Sequence, residues 1–394
     1  MIRISKNPVN IREKLAELER PIGLNGSALM RTETPQEAFS LIGAGRRNRI
    51  INGDMQIDQR YNGSLFSSAN EFIVDRWTGN WYAPAGGSYS GQQVSDAPAG
   101  FRNSLRITTT ATPSNNNDAY FQIFQVIEGY NIADLMMGTA NAKTFTCSFW
   151  VKSSVTGTYS ICFFNNQATV RAYNTTYTIN SANTWEYKTI TVPGDTSTTG
   201  TWGSTNGQGL GVFFDMGSGT NQEASANSWV TSNTRRISET VRLINTNGAT
   251  WQVTGVQLEE GKVATPFEYR SIGEELALCQ RYYQRIGKVS SDGNTSRTIM
   301  LGAYTSTRAF GGLPISVAMR TRTPTITYSN LYLESFSLAS FLAITYFSRY
   351  GDMGIDGSFF GVEANVASGL SSGSPYYISF PSGQNAFLAL DTEL

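Results

Sequence analysis

From Asn48 to Arg270 the chain alternates apolar and polar residues, the period of a strand with one face buried. In Phe145–Lys152 the odd positions are apolar and the even ones polar, Trp150 excepted. Ser153–Gly157 reads as a turn and Thr158–Phe164 as a return strand. Trp185–Val192, Leu210–Phe214, Arg236–Leu243 and Trp251–Leu258 are predicted as further strands. Between them lie loops such as 195–209, made largely of Thr, Ser, Gly and Asn. Many short strands with Gly-rich connections predict a β-sandwich over residues 46–270. Cys147 falls in phase with Phe145 and Phe149, so it is expected to face the core.

The period changes at Ser271, which caps a predicted helix with Glu274 completing a capping box. Ile272, Leu276, Cys279, Tyr283 and Ile286 follow at spacings of four and three, an apolar seam over residues 271–287. That seam either packs on the chain's own domain or lies on a three-fold axis. Strand patterns resume at Thr298–Tyr304, Pro314–Met319, Thr325–Tyr328, Ala343–Phe347, Ser358–Val362, Tyr376–Phe380 and Ala386–Leu390. They predict a second, smaller β-domain over residues 288–394. Near the start, Asn10 and Glu13 frame a short helix with Ile11, Leu15 and Leu18 on one stripe, ended by Pro21. Thr34, Pro35 and Glu37 open another, stopped at Gly43. Residues 1–45 therefore predict a helical arm with little core of its own. The fold class is all-β: a sandwich plus a smaller C-terminal β-domain, with short N-terminal and linker helices.

Composition narrows the function. The 394 residues exceed one ordinary domain. Lys and Arg total 30 and Asp and Glu total 30, so no basic excess exists to hold nucleic acid or an anionic membrane. There is no His, which excludes His-based triads, His-ligated zinc and imidazole pH switching. No apolar run is long enough for a membrane span, and the N-terminal stretch lacks the apolar core of a signal peptide. Three Cys form no disulfide framework, and a reducing cytoplasm is the expected place of folding.

Several segments resemble tail-fibre and tail-spike-like proteins of tailed bacteriophages. They are Asn48–Met55, Val74–Trp77, Ser148–Ser160, Thr184–Asp195 and, most specifically, Val256–Gln284. Residues 15–48 look like the virion-attachment arms of short-tailed phage fibres. The resemblance covers residues 11–286. It implies a jelly-roll sandwich similar to carbohydrate-binding modules, a homotrimer, attachment to other virion proteins through residues 1–45, and binding of a bacterial surface polysaccharide. The place implied is the virion, assembled in the host cytoplasm. The stripe Ile11, Leu15, Leu18 and the seam Ile272, Leu276, Cys279, Tyr283, Ile286 are the expected attachment and trimer contacts.

A glycan binder needs flat apolar faces for sugar rings beside amide, hydroxyl and carboxylate groups. Trp81 and Tyr82 precede a Gly-rich stretch, Trp202 lies among Thr, Gly, Ser and Asn, and Tyr376 and Tyr377 follow Gly373-Ser374-Pro375. With Asp352 these are the glycan-binding candidates. Reach favours residues 288–394 as the receptor end, with the loop around Trp202 as the competing site. Trp77, Trp150, Trp185 and Trp251 are assigned to the core or the sandwich surface. Asn52 and Asp54 read as a turn rather than a calcium site, and Glu259 as structural. No residues carry a catalytic motif, so the expectation is no enzyme, no cofactor, no metal, no nucleic acid and no membrane insertion. The alternatives are a structural head-decoration or tail-hub fibre protein and a capsular polysaccharide depolymerase.

Overall fold

The computed structural model describes residues 47–114, 117–165, 167–287, 295–337, 341–350 and 359–394. The expected helices with Ile11, Leu15 and Leu18, and the candidate Asp352, lie outside the described residues.

Two antiparallel sheets face each other as a jelly-roll sandwich. One runs in the order β1 (Glu71–Val74), β2 (Trp77–Tyr82), β5 (Tyr120–Glu128), β10 (Gln208–Asp215), β7 (Gly157–Phe164), β8 (Ala172–Ile179) and β11 (Trp229–Val230). The other runs β3 (Ser88–Val94), β4 (Ser104–Ala111), β12 (Thr250–Glu260), β6 (Phe145–Ser153) and β9 (Glu186–Val192). Phe145, Cys147, Phe149 and Val151 are fully buried between the sheets, so the alternation seen in the sequence sets the phase of β6. Trp77 and Trp251 are core residues, and Phe214 links them with ring contacts at 6.3 and 5.1 Å. Trp150 falls on the opposite, outer phase. Residues 236–243 do not form the expected strand. Glu239 has φ +60°, which breaks an extended run, the buried Arg236 guanidinium donates to the Thr240 carbonyl at 3.3 Å, and the Thr240 hydroxyl donates to the Ile237 carbonyl at 2.7 Å.

Ser271 caps the helix α1 (Ile272–Gln280) as expected, accepting from the Glu274 N–H at 3.3 Å. The seam does not continue. Tyr283 and Ile286 belong to β13 (Tyr283–Gly287), which pairs with β21 (Phe387–Asp391), so tertiary pairing overrides the helical period. Cys279 is buried against Ile51, Ile57 and Tyr282 of its own chain, Leu276 packs beside it, and Ile272 is exposed. The expected linker therefore supplies the first strand of the second unit.

That unit combines a three-stranded sheet, β13, β21 and β16 (Thr325–Ser329), with a closed barrel. The barrel order is β14 (Ser296–Ala303), β15 (Arg308–Pro314), β19 (Phe359–Val366), β18 (Phe341–Arg349), β17 (Tyr332–Ser335) and β20 (Pro375–Phe380). The expected strand 314–319 sits earlier, as β15, and contains Gly311-Gly312. A Cβ at Gly311 would lie 2.5 Å from Leu301 Cδ2, so glycine permits the close approach of β15 to β14.

Charged side chains join the two units. Arg60 pairs with Asp391 at 3.0 Å and with Glu393 at 3.4 Å. Arg76 also pairs with Glu393, donates to the Val126 carbonyl at 2.6 Å, and lies 3.6 Å from the Tyr282 ring centre. Arg320, held by the Thr392 and Glu393 carbonyls, donates to the Asn206 carbonyl of the sandwich at 2.9 Å, and Glu128 accepts from Arg281 and the Tyr282 hydroxyl.

Asp75 stands 3.8 Å from Arg60 in the same cluster. Burial pushes its carboxyl from 3.8 up to about 7, against the pull of Arg60 and Gln59. Burial likewise raises Asp215 to about 6, against bonds from Ser218. A folded value above the unfolded one adds stability at low pH that is lost as pH rises through the folded value. Stability should therefore fall as pH rises from about 4 to about 7. Asp75→Asn, which keeps an acceptor for the Gln59 N–H, should flatten that fall in urea titrations. An unchanged slope would show that Asp75 is not the proton-binding group.

Candidate functional site

The outer face of the five-stranded sheet carries a groove of about 580 Å³. Its floor and walls are set by two local departures from regular strand. The first is a bulge in β12, where the pairing to β6 slips between Thr254 and Gln257. Gly255 occupies it at φ +61°, a conformation that favours glycine. A Cβ there would come 2.6 Å from the Phe101 ring, so Phe101 lies directly on the bulge.

The second is the segment after β12, which folds back over the sheet. Glu259 accepts from the Thr265 N–H at 2.8 Å and its hydroxyl at 2.6 Å. Gln257 accepts from the Glu268 N–H at 2.8 Å and donates to Glu259 at 2.8 Å. Gln257 and Glu259 are both buried, so these bonds are shielded from water. They place Phe267 and Tyr269 beside Phe101. The three rings pack at centre distances of 5.1, 5.6 and 5.0 Å.

This triad forms one wall. The other is Trp150 and Tyr187, cross-strand neighbours on β6 and β9 with ring centres 5.4 Å apart. Trp150 is half-buried and Tyr187 is exposed. Ser148, Thr265, Tyr187 and Tyr269 bring hydroxyls to the lining, which contains no charged side chain. Burial raises the Tyr187 phenol, so it stays a neutral donor and acceptor.

A polar cluster continues along the same sheet face. Asp96 accepts from Lys152, from Gln252 Nε2 at 3.2 Å and from the Trp185 indole N–H at 3.4 Å. The bond from Lys152 holds the Asp96 carboxyl below its usual range. The Lys152 ammonium also sits 5.1 Å from the Trp185 ring centre. Trp185, Tyr187 and Trp150 thus line one side of a path that runs from charged to uncharged surface. Such a surface can stack on flat apolar faces of a ligand and meet its hydroxyls at the rim.

Among the described residues, none of the glycan-binding candidates named from the sequence lies in the groove, and they do not come together elsewhere. Trp81 packs on Tyr89 at 4.6 Å against the sandwich core. Tyr82 is exposed on the other sheet, near Tyr120. Trp202 meets Trp229 edge-on at 5.5 Å and donates to Asp195 at 3.3 Å, while Asp195 holds Arg171 through two bonds of 2.8 Å. Its polar neighbours belong to a loop that it anchors. Tyr376 is buried in the barrel core, where the inward phase of β20 places it, and its hydroxyl accepts from the Ser371 N–H at 3.0 Å. Tyr377 takes the outward phase and stacks on Phe336 at 4.6 Å. The groove residues had a signal of their own: Trp150 and Tyr187 are aromatic at positions whose strand phase is otherwise polar.

Asn52 is the centre of a turn. Its side chain bonds Ile57 twice and the Asp75 carbonyl, and its own carbonyl accepts from the Trp77 indole. Among the described residues there is no group of three or more Cys, Asp or Glu side chains placed to hold a metal ion.

No protein-family model matches the chain, and no curated protein sequence matches it. Several solved structures are similar to it in part. A family 4 carbohydrate-binding module is 15% identical with a TM-score of 0.28, covering 53% of this chain and 98% of that one. A family 11 carbohydrate-binding module from Clostridium thermocellum, in complex with a β-1,3-1,4-mixed-linked tetrasaccharide, is 13% identical with a TM-score of 0.27, covering 51% and 98%. A xylan-binding family 22 module from Paenibacillus barcinonensis is 9% identical with a TM-score of 0.26, covering 52% and 99%. Likenesses at these scores say nothing of what this chain binds.

Proposed function

We propose that the chain binds a neutral glycan in the groove between the Phe101–Phe267–Tyr269 wall and the Trp150–Tyr187 wall. The observation that carries this is the pair of aromatic walls across a lining without charge. A pyranose ring has apolar C–H faces and a rim of hydroxyls, which fits aromatic walls with hydroxyls from Ser148, Thr265, Tyr187 and Tyr269. The groove's volume falls in the range of about 300–1,000 Å³ typical of small-ligand sites. On this reading the binding module is the sandwich rather than residues 288–394.

The resemblance of Asn48–Met55 and Val256–Gln284 to phage fibres supports a fuller reading: a homotrimeric virion fibre, attached through residues 1–45, that adheres to a bacterial surface polysaccharide without cleaving it. Weak single sites suffice in such an assembly, because linked copies raise avidity by orders of magnitude.

The test is calorimetric titration of the full chain with a panel of neutral oligosaccharides and uronic-acid oligosaccharides. At least one neutral member should bind in the micromolar to millimolar range, and the acidic set should bind more weakly. Binding of the acidic set alone would overturn the reading. Release of new reducing ends during incubation would replace adhesion with depolymerisation.

A further inference from the structure

A carboxylate stands in water just past the end of the groove, outside its uncharged lining. On the outer face of the sheet Trp150 lies opposite Tyr187, and Lys152, two residues on, lies opposite Gln252. Trp185 stands two residues before Tyr187, with the Lys152 ammonium 5.1 Å from its ring centre. Side chains two apart on a strand share a face and are separated by about 7 Å. Lys152, Gln252 and Trp185 therefore begin where the Trp150–Tyr187 wall ends. All three donate to the Asp96 carboxylate. The loop that carries Asp96 also supplies Ala99 to the groove lining.

Within this cluster Asp96 is the group that a bound chain meets. Its side chain is 50% exposed, whereas that of Lys152 is 14% exposed. The ring of Trp185 faces Lys152, its indole N–H is bonded to Asp96, and Gln252 is buried. Asp96 is also held in place. The Ser104 hydroxyl donates to the Asp96 carbonyl at 2.6 Å, and Gln252 Nε2 reaches both Ser104 Oγ, at 3.1 Å, and the carboxylate, at 3.2 Å. Ser104 and Gln252 are both buried, so this anchor is shielded from water. The two carboxylate oxygens differ. Oδ2 accepts from Lys152 and Gln252, while Oδ1 accepts from the Trp185 indole at 3.4 Å, a long bond. A carboxylate oxygen can accept two hydrogen bonds, so Oδ1 keeps capacity for a ligand hydroxyl.

We propose that Asp96 sets the selectivity of the groove: it accepts hydroxyl hydrogens from the sugar next to the one held between the aromatic walls, and it repels a carboxylate at that position. A hydroxyl gives a charge-assisted hydrogen bond there, whereas a second carboxylate meets like charge. The ligand is then a chain of two or more sugars that is neutral or amino-bearing beside Asp96, and not a polyuronate. This rests on the glycan reading of the groove and names the residue that turns acidic chains away. Arg106, the next charge along the face, lies opposite Gln252 on β4 and donates to Gln92 at 2.9 Å.

The experiment is calorimetric titration of the full chain with the neutral and uronic-acid oligosaccharides of the panel, each from one to four units long. Asp96→Asn, Lys152→Gln and Glu363→Gln accompany the wild type. Circular dichroism checks folding, and Asp96→Ser replaces the asparagine variant if that one fails to fold. The wild type should bind two neutral units severalfold more tightly than one. Asp96→Asn should weaken the neutral chains and tighten the acidic ones, so that the neutral-to-acidic preference falls about tenfold, a modest effect for like charges near contact. Lys152→Gln leaves Asp96 without its ammonium and should raise that preference. Glu363→Gln, on the barrel, makes the same change in net charge as Asp96→Asn and should alter neither class. An unchanged preference in Asp96→Asn overturns the proposal. So does an equal weakening of both classes, which would make Asp96 only a support for Trp185. Tighter binding of the acidic set by the wild type also overturns it, and gives control of the face to Lys152 and Arg106. If no neutral member binds the wild type, the glycan reading fails and this proposal with it. If neutral chains bind and the preference ignores Asp96, the glycan reading stands and this proposal does not.

Discussion

Glu393→Ala lowers the stability of the folded chain by about 3–5 kcal/mol, the expected cost of leaving a buried charge without its partner. The Glu393 side chain is 4% exposed, and the side chains of Arg76 and Arg60 that it serves are 2% and 9% exposed. Arg60 keeps Asp391 and Asp75 after the substitution, but among the described residues Arg76 keeps only the Val126 carbonyl and the Tyr282 ring. The cost should therefore come mainly from Arg76. Asp391→Ala is the comparison, because Asp391 is about one-third exposed and should cost much less. Urea unfolding of the two variants checks the order. Equal midpoints would mean that Glu393 is not the joint between the sandwich and the second unit.

Trp150→Ala combined with Tyr187→Ala should reduce saccharide affinity about a hundredfold while leaving the fold intact. Each ring contributes roughly 1–1.5 kcal/mol through stacking, and tenfold in affinity is about 1.4 kcal/mol. Both side chains sit on the outer face of β6 and β9, so their loss leaves Phe145, Cys147, Phe149 and Val151 in place. Trp202→Ala is the opposite case. It should cost stability, through its contacts with Trp229 and Asp195, and leave affinity unchanged. Loss of binding in Trp202→Ala with no loss in the groove variant would move the site to the 195–209 loop.

Glu259→Gln tests the groove at its support. The carboxylate accepts two bonds from Thr265, and an amide can accept only through one oxygen while its NH₂ faces the same donors. The segment carrying Phe267 and Tyr269 should loosen, and affinity should fall severalfold with Trp150 and Tyr187 untouched. Wild-type affinity in this variant would show that the triad wall does not depend on Glu259.

The alternation in 145–152 determined that this region is a strand and which of its faces is buried, because strand phase depends only on the pleat and on which side excludes water. The N-cap at Ser271 determined where α1 begins, since its side chain and the Glu274 N–H it accepts from lie within one turn of chain. The sequence could not set the end of that helix. Tyr283 and Ile286 fit the helical period, yet β21, a hundred residues later, offers them a ladder of hydrogen bonds. The site was hidden for a related reason. An aromatic residue in a polar loop, such as Trp202, looks available until the chain folds it against another ring. Trp150 already falls on the outer phase in the sequence, but nothing there says which rings it meets. Its partners Phe101, Tyr187 and Phe267 come from separate parts of the chain, joined only where the bulge at Gly255 and the bonds to Glu259 bring them to one face. Local pattern decided the elements. Long-range pairing and a single left-handed glycine decided which aromatic residues share a groove.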